Sequence, residues 1–135
     1  MCIRDSICKG AYQEPAAVAY PEKKDVDGSY VRCMQALMLE GRYPGIATHD
    51  EEIITEARRF AKEKGIAADR YEFQMLYGVR RDLQDQLVRD GYRMRVYVPF
   101  GTQWYPYLMR RLAERPANLA FITGSVMREM LSGRK

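Results

Sequence analysis

Apolar residues recur along this chain at two alternating spacings, and the change between them divides the sequence into four similar units. Short runs that are continuously apolar, or that alternate with polar residues, predict strands at Ile7–Ala11, Gly45–Thr48, Tyr71–Tyr77 and Arg93–Pro99. Each run is followed by a stretch with apolar residues three and four positions apart, which predicts an amphipathic helix. The chain is therefore expected to repeat the order strand, loop and helix four times.

The first three helices have recognisable ends. The first is expected to begin at about Asp27, after a polar loop, and to stop at Gly41. The second begins near Asp50, whose side chain suits an N-cap, and stops at Gly65, while the third stops at Gly91. The residues expected to share an apolar face are Tyr30, Cys33, Met34, Leu37 and Met38 in the first helix, Ile53, Ile54, Ala57, Phe60 and Ala61 in the second, and Val79, Leu83, Leu87 and Val88 in the third.

Strands that alternate with helices predict an α/β fold with a parallel sheet and right-handed crossovers. Polar residues then collect at or just past the carboxyl ends of the four strands, in Lys9 to Tyr12, Thr48 to Asp50, Gln74 to Tyr77 and Tyr97 to Gly101. Barrels and open α/β sheets both carry their sites at that edge. An eight-stranded barrel needs about 250 residues, so four units predict either an open four-stranded sheet or the second half of a barrel.

Composition narrows the class of protein. The 135 residues are 47% hydrophobic and 30% charged, which is typical of one globular domain. The net charge of +4 is spread along the chain, and this disfavours nucleic-acid binding. No apolar run approaches the ~20 residues of a membrane span, and no stretch has the order of a signal peptide. Three cysteines without metal-site spacing fit a reducing compartment, and with a single histidine no metal site is expected.

The segment Trp104–Asn118 carries the most suggestive chemistry, as a fourth helix that stops at a proline. Helical spacing puts Tyr107, Arg110, Arg111 and Glu114 on one face. Two guanidiniums beside a phenol can bind a small carboxylate, because each presents a planar fork of donors, and the glutamate can hold one fork in position. The alternative is a solvated helix face with an ordinary Arg/Glu pair.

Five segments, in this order and spacing, resemble the proline dehydrogenases, in particular the monofunctional bacterial type: Cys8–Pro15, Ile46–Asp50, Tyr71–Gly78, Arg95–Gly101 and Trp104–Asn118. The resemblance runs from about Ile7 to near the end of the chain. It implies a flavin-dependent (βα)8 barrel in which L-proline passes a hydride to N5 of FAD and becomes 1-pyrroline-5-carboxylate. A quinone would then reoxidise the flavin. The chain would supply the second half of this TIM-like barrel, with the Arg-bearing helix over the carboxyl ends of the strands.

The resemblance also implies roles for individual residues. Substrate binding is expected for Arg110 and Arg111 on the proline carboxylate, Glu114 orienting that pair, and Tyr107, Tyr97 and Leu76 against the pyrrolidine ring. Cofactor binding is expected for Lys9, Gly10, Tyr12, Thr48, His49 and Gln74, with Gln74 near the reactive edge of the flavin. No side chain is assigned as a catalytic acid or base, because the redox chemistry belongs to the flavin.

Several of these residues have structural alternatives when each is taken alone. His49 could cap the following helix or satisfy a hydrogen bond in the core. Gln74, between two apolar residues, could be a polar residue of an edge strand. Lys9 could face solvent, and Tyr97 could simply pack on the sheet.

The sequence departs from the family pattern at its start. Ser6 stands three residues before Lys9, where the family has an arginine that helps to hold the flavin. Residues 1–6 match nothing in the family and are interpreted as a foreign junction, so that 7–135 form the C-terminal half of the barrel. The first half, with a lysine that approaches the proline, is missing. We therefore expect a half barrel with open edges that is inactive alone.

The sequence also leaves one alternative function open and predicts a cellular location. The alternative is a free-standing α/β module that binds small anions or a partner without catalysis, using Arg110 and Arg111. The enzyme interpretation places the protein in the cytoplasm, at most peripheral at the inner face of the membrane.

Overall fold

The computed structural model describes residues 5–10, 14–102 and 106, and strands alternate with helices throughout this part of the chain. In order, the elements are β1 (Ser6–Cys8), α1 (Lys23–Glu40), β2 (Gly45–Ala47), α2 (Glu51–Lys64), a 3-10 turn (Ala68–Arg70), β3 (Glu72–Leu76), α3 (Arg81–Arg89) and β4 (Met94–Tyr97). Apart from residue 106, the helix predicted from Trp104 to Pro116 lies outside the described residues.

The four strands form one parallel sheet in the order β1-β2-β3-β4. Each strand pairs with the next one along the chain, and the order never reverses. A reversal of strand order is the mark of a doubly wound open sheet, whereas uniform progression is the order of a barrel wall. The predicted α/β fold with a parallel sheet is confirmed.

Successive side chains of each strand point to opposite faces of the sheet, so that one face is apolar and the other is polar. Ile7, Ile46, Phe73 and Met94 are aligned across the four strands by the pairing register, so their side chains share one face. The buried core combines this face with apolar residues of the three helices. The helix residues in that core are Tyr30, Met34, Met38, Ile53, Ile54, Ala57, Phe60, Ala61, Leu83 and Leu87. The α-helical layer of the described chain therefore stabilises the apolar face of the sheet.

Helix α2 matches its prediction at both ends and along its face. The Asp50 side chain accepts a hydrogen bond from the Glu52 amide, which makes Asp50 the N-cap. Gly65 ends the helix at φ 66°, a left-handed conformation that glycine adopts without steric cost. All five residues predicted for its apolar face are buried.

Other predictions need correction. Helix α1 begins at Lys23 rather than near Asp27; its first turn contains the Lys23–Asp27 ion pair, which an apolar pattern cannot reveal. Cys33 is exposed because the buried line of α1 advances by four residues, through Tyr30, Met34 and Met38. Val88 is 58% exposed, since it lies about 100° around α3 from the buried Leu87.

The strands are also shorter than predicted, by one to two residues at most of their ends. At its amino end, β1 is instead one residue longer than predicted, because it begins at Ser6, which pairs with Gly45.

Candidate functional site

Residues from four separate strands meet at the carboxyl edge of the sheet. Of the twelve predicted site residues, the structure describes seven: Lys9, Gly10, Thr48, His49, Gln74, Leu76 and Tyr97. They lie within the last three residues of a strand or within two residues after it. The remaining five, Tyr12, Tyr107, Arg110, Arg111 and Glu114, lie outside the described residues.

Lys9 follows β1 and lies between two carboxylates. Its ammonium is 2.5 Å from Asp27 Oδ1 and 2.9 Å from Asp50 Oδ2, and Lys23 pairs with the same two aspartates. Burial acts to raise the pKa of both carboxyl groups, but hydrogen bonds and charge from the lysines outweigh it and hold each pKa below its ordinary value. The Lys9 side chain is only 17% exposed, so it is held in place and does not extend into solvent.

Asp50 connects this charge cluster to β2 and to α2. One oxygen caps α2 through the Glu52 amide, while the other accepts from Lys9. The Asp50 amide donates to Thr48 Oγ1 at 3.1 Å, and the Thr48 amide donates to the carbonyl oxygen of Gln74. Thr48 is buried, and its hydroxyl helps to shape the turn from strand to helix.

His49 connects β2 to β3. The Leu76 amide donates to His49 Nε2 at 2.9 Å, so a ring nitrogen accepts a backbone hydrogen bond at the end of β3. Burial, aided by the positive charge of Arg80, lowers the pKa of His49 to about 4. The imidazole is therefore neutral near pH 7 and carries its proton on Nδ1. Of the two structural alternatives for His49, capping of α2 is excluded because Asp50 is the cap. The second alternative, a satisfied hydrogen bond with the backbone, is what the structure shows.

Leu76 and Tyr97 lie side by side at the top of β3 and β4. They are partners in the pairing register, so both side chains face the same side of the sheet. Tyr97 is 50% exposed and Leu76 is half-buried, which leaves an accessible surface of phenol and aliphatic groups. Such a surface suits the methylene groups of a small ring.

We refer to the surface formed by Leu76 and Tyr97 as the Leu76–Tyr97 wall. Gln84 of α3 was not predicted as a site residue, although it holds the backbone of this wall in place. Its Nε2 donates to the carbonyl oxygens of Leu76, at 3.1 Å, and Val79, at 2.8 Å. His49 binds the Leu76 amide and Gln84 binds the Leu76 carbonyl oxygen, so both polar groups of the Leu76 backbone are held by side chains. A polar residue directly after buried Leu83 was the available signal, since buried polar side chains need specific partners.

The polar face of the sheet carries a second group, in which Gln74 was predicted as a site residue but its partners Glu72 and Arg95 were not. Glu72 accepts from Gln74 Nε2 at 2.7 Å, and Arg95 of β4 contacts both Glu72 oxygens, at 2.5 and 2.9 Å. The Glu72 and Gln74 side chains are buried, and Gly45 of β2 lies directly beneath the Gln74 amide. The alternation of these polar residues with Phe73 and Met75 was the visible signal.

The residues present are compatible with a cofactor that offers hydrogen-bond donors. Gln74 Oε1 is buried and has no hydrogen-bond partner among the described residues, a state that is rare for buried acceptors. The Lys9 ammonium adds a donor at the end of β1. Within the described ranges, no three His, Cys, Asp or Glu side chains are grouped to hold a metal ion. None of the helices described is long and apolar enough to cross a membrane.

Comparison with known proteins gives one consistent result. The family model described as proline dehydrogenase matches residues 7–124. The proline dehydrogenase of Deinococcus radiodurans is 53% identical over 120 residues, which cover 89% of this chain and 39% of that protein. Proline dehydrogenase 2 of Bacillus subtilis is 55% identical over 115 residues, covering 85% of this chain and 38% of the relative. The chain thus spans about two fifths of the length of these curated relatives.

A solved structure agrees with the sequence relatives. The crystal structure of proline utilization A (PutA) from Bdellovibrio bacteriovorus, inactivated by N-propargylglycine, superposes with a TM-score of 0.73 at 29% identity. The similarity covers 81% of this chain and 13% of that much longer one. The described fold is therefore that of part of a proline dehydrogenase domain.

Proposed function

This chain belongs to the proline dehydrogenase family, and from that membership we propose that it is the C-terminal half of a (βα)8 barrel that oxidises L-proline to 1-pyrroline-5-carboxylate. The relatives supply the oxidoreductase class. The uniform strand order and the single helical layer support the half barrel, because a barrel wall has helices outside and its own interior inside. The coverage of about two fifths of each relative supports it as well.

The observation that carries this proposal is the convergence of seven predicted site residues, from four strands, at one sheet edge. That edge is where enzymes with this architecture place their chemistry. The alternative of a free-standing anion-binding module is not favoured, because the family match spans residues 7–124.

We assign FAD as the cofactor. When bound, it supplies the acceptor for the two electrons that L-proline loses, and a quinone receives them afterwards. Lys9, Gly10, Tyr12, Thr48, His49 and Gln74 would hold it. Of these, Gln74 offers the buried acceptor Oε1.

The substrate is proposed to lie against Leu76 and Tyr97, whose apolar surfaces exclude water from the reacting face. Arg110 and Arg111 would hold the proline carboxylate, with Tyr107 closing over the ring and Glu114 orienting the guanidiniums. Their part is to bind and orient the substrate. We propose that the protein lies in the cytoplasm, with at most peripheral contact at the inner face of the membrane.

The test is a chimera in which residues 7–135 follow the part of the Deinococcus radiodurans proline dehydrogenase that precedes the region of similarity. We expect this chimera to reduce a dye with L-proline, and residues 7–135 alone not to do so. Arg111→Met should abolish the activity, whereas Arg59→Met, an exposed residue of α2, should leave it unchanged. Activity of residues 7–135 alone would contradict the half barrel, and an inactive, folded chimera would contradict the proposed reaction.

A further inference from the structure

The group on the polar sheet face has a fixed order of donors and acceptors. Arg95 contacts both oxygens of Glu72, and a carboxylate paired in this way with a guanidinium is ionised. An ionised carboxylate can only accept hydrogen bonds. The amide of Gln74, which lies 2.7 Å from Glu72 Oε1, must therefore present its NH2 group to that oxygen.

This constraint determines where the other half of the amide lies. With Nε2 bonded to Glu72, Gln74 Oε1 is turned away from the carboxylate. It is buried, in a side chain only 3% exposed, and it has no hydrogen-bond partner within the described part of the chain. A buried carbonyl oxygen without a partner is able to accept a hydrogen bond from a bound ligand.

Gly45 provides the space in which the amide lies. A Cβ atom at this position would come within 2.3 Å of Gln74 Nε2 and 2.7 Å of its Cδ, which is closer than any real contact. The absence of a side chain on β2 thus allows the Gln74 side chain to lie flat across the neighbouring strand.

We propose that Glu72 and Arg95 are positioning residues that fix Gln74 as a hydrogen-bond acceptor for an N–H group of the bound flavin ring. This inference rests on the proposed function. It names the direction of the hydrogen bond, from the cofactor to the protein, and the two residues that impose it. Arg95 acts on Glu72, Glu72 acts on Gln74, and Gln74 alone touches the ligand.

The experiment measures the affinity of the apoprotein of the chimera for FAD. Glu72→Gln removes the obligatory acceptor, so that the Gln74 amide can rotate, and affinity should fall about tenfold, the loss of one buried hydrogen bond. Gln74→Leu should weaken binding at least as much. The double variant should bind no more weakly than Gln74→Leu alone, because Glu72 acts only through Gln74. Glu56→Gln, the same change on α2, is the matched control and should leave the affinity unchanged.

The reduction potential identifies which N–H group is bound. If the donor exists in both redox states of the ring, Gln74→Leu lowers affinity and leaves the potential unchanged. If it exists only in the reduced ring, the variant leaves the affinity for oxidised FAD unchanged and lowers the potential. Either result supports the inference.

Three results would overturn it: no change by Glu72→Gln in either the affinity or the potential, additive effects of the two substitutions, or no effect of Gln74→Leu on either quantity. If Glu72→Gln fails to fold, Gly45→Ala displaces the same amide without touching the ion pair, and a Gly45→Ala variant in which neither the affinity nor the potential changes overturns the inference equally. If the chimera oxidises proline while these variants bind FAD normally, the inference is wrong and the proposed function is still supported. If the chimera binds no FAD, both the inference and the proposed function are contradicted.

Discussion

The two faces of the sheet are built from the same strands and serve different purposes. On one face, Ile46 and Phe73 are fully buried beneath helices and contribute to stability. On the other, Glu72, Gln74 and Arg95 form a hydrogen-bonded group beside Gly45, where no described helix packs. Because burying a charge is costly even when it is paired, this second arrangement is better explained by the position it gives to Gln74 than by stability.

The comparison predicts first that truncation on the apolar face costs the most stability. Phe73→Ala should destabilise the chimera by about 3–5 kcal/mol, because it removes a fully buried ring from contact with Tyr71 and Tyr92. Tyr97→Ala, on the polar face and half exposed, should cost much less. Urea unfolding of both variants measures the difference, and equal losses would contradict the division between the faces.

A second prediction concerns pH. The unfolded chain protonates His49 below about pH 6.5, but the folded protein resists protonation until about pH 4. This contribution to stability is fully present above pH 6.5 and declines as pH falls towards 4, by up to about 3 kcal/mol. His49→Gln keeps an acceptor for the Leu76 amide and does not titrate. Its free energy of unfolding should therefore fall less between pH 7 and 5 than that of the parent, and parallel curves would refute the assignment.

The third prediction tests the support of the Leu76–Tyr97 wall. Gln84→Leu leaves the carbonyl oxygens of Leu76 and Val79 without this donor and should cost about 1–3 kcal/mol. It should also raise KM for L-proline, since the wall would be held less firmly. Gln86→Leu makes the same change at an exposed position of α3. Similar KM values in the two variants would show that Gln84 does not position the wall.

The smallest effect on stability is expected at Gly45. Gly45→Ala should change the free energy of unfolding by about 1 kcal/mol at most, because the displaced amide loses one hydrogen bond to Glu72, which keeps its pairing with Arg95. Its affinity for FAD should nevertheless fall. Gly28→Ala in α1 is the control, since a Cβ there meets only Arg32 at 3.5 Å. A large loss of stability without a loss of affinity would reverse the interpretation.

These regions also differ in how far the sequence predicts them. Helix α2 was predicted in full because its cap, its terminal glycine and its apolar face are all encoded within sixteen consecutive residues. The location of the site at the strand ends was predicted because four similar units imply one parallel sheet, whereas the individual site residues were assigned from the resemblance to the family. By contrast, the pairing of Glu72 with Arg95 depends on the register of two strands 23 positions apart. The contact of Lys9 with Asp50 likewise joins residues 41 positions apart. Neither pairing is determined by local pattern.

One measurement tests the central claim most directly, namely that the polar face and the strand ends beside it hold a flavin which L-proline reduces. The purified chimera is titrated with L-proline in the absence of oxygen while its visible absorbance is recorded. We predict a yellow protein whose flavin absorbance is bleached by L-proline. A folded chimera without flavin, or one whose flavin spectrum L-proline does not change, would contradict the account.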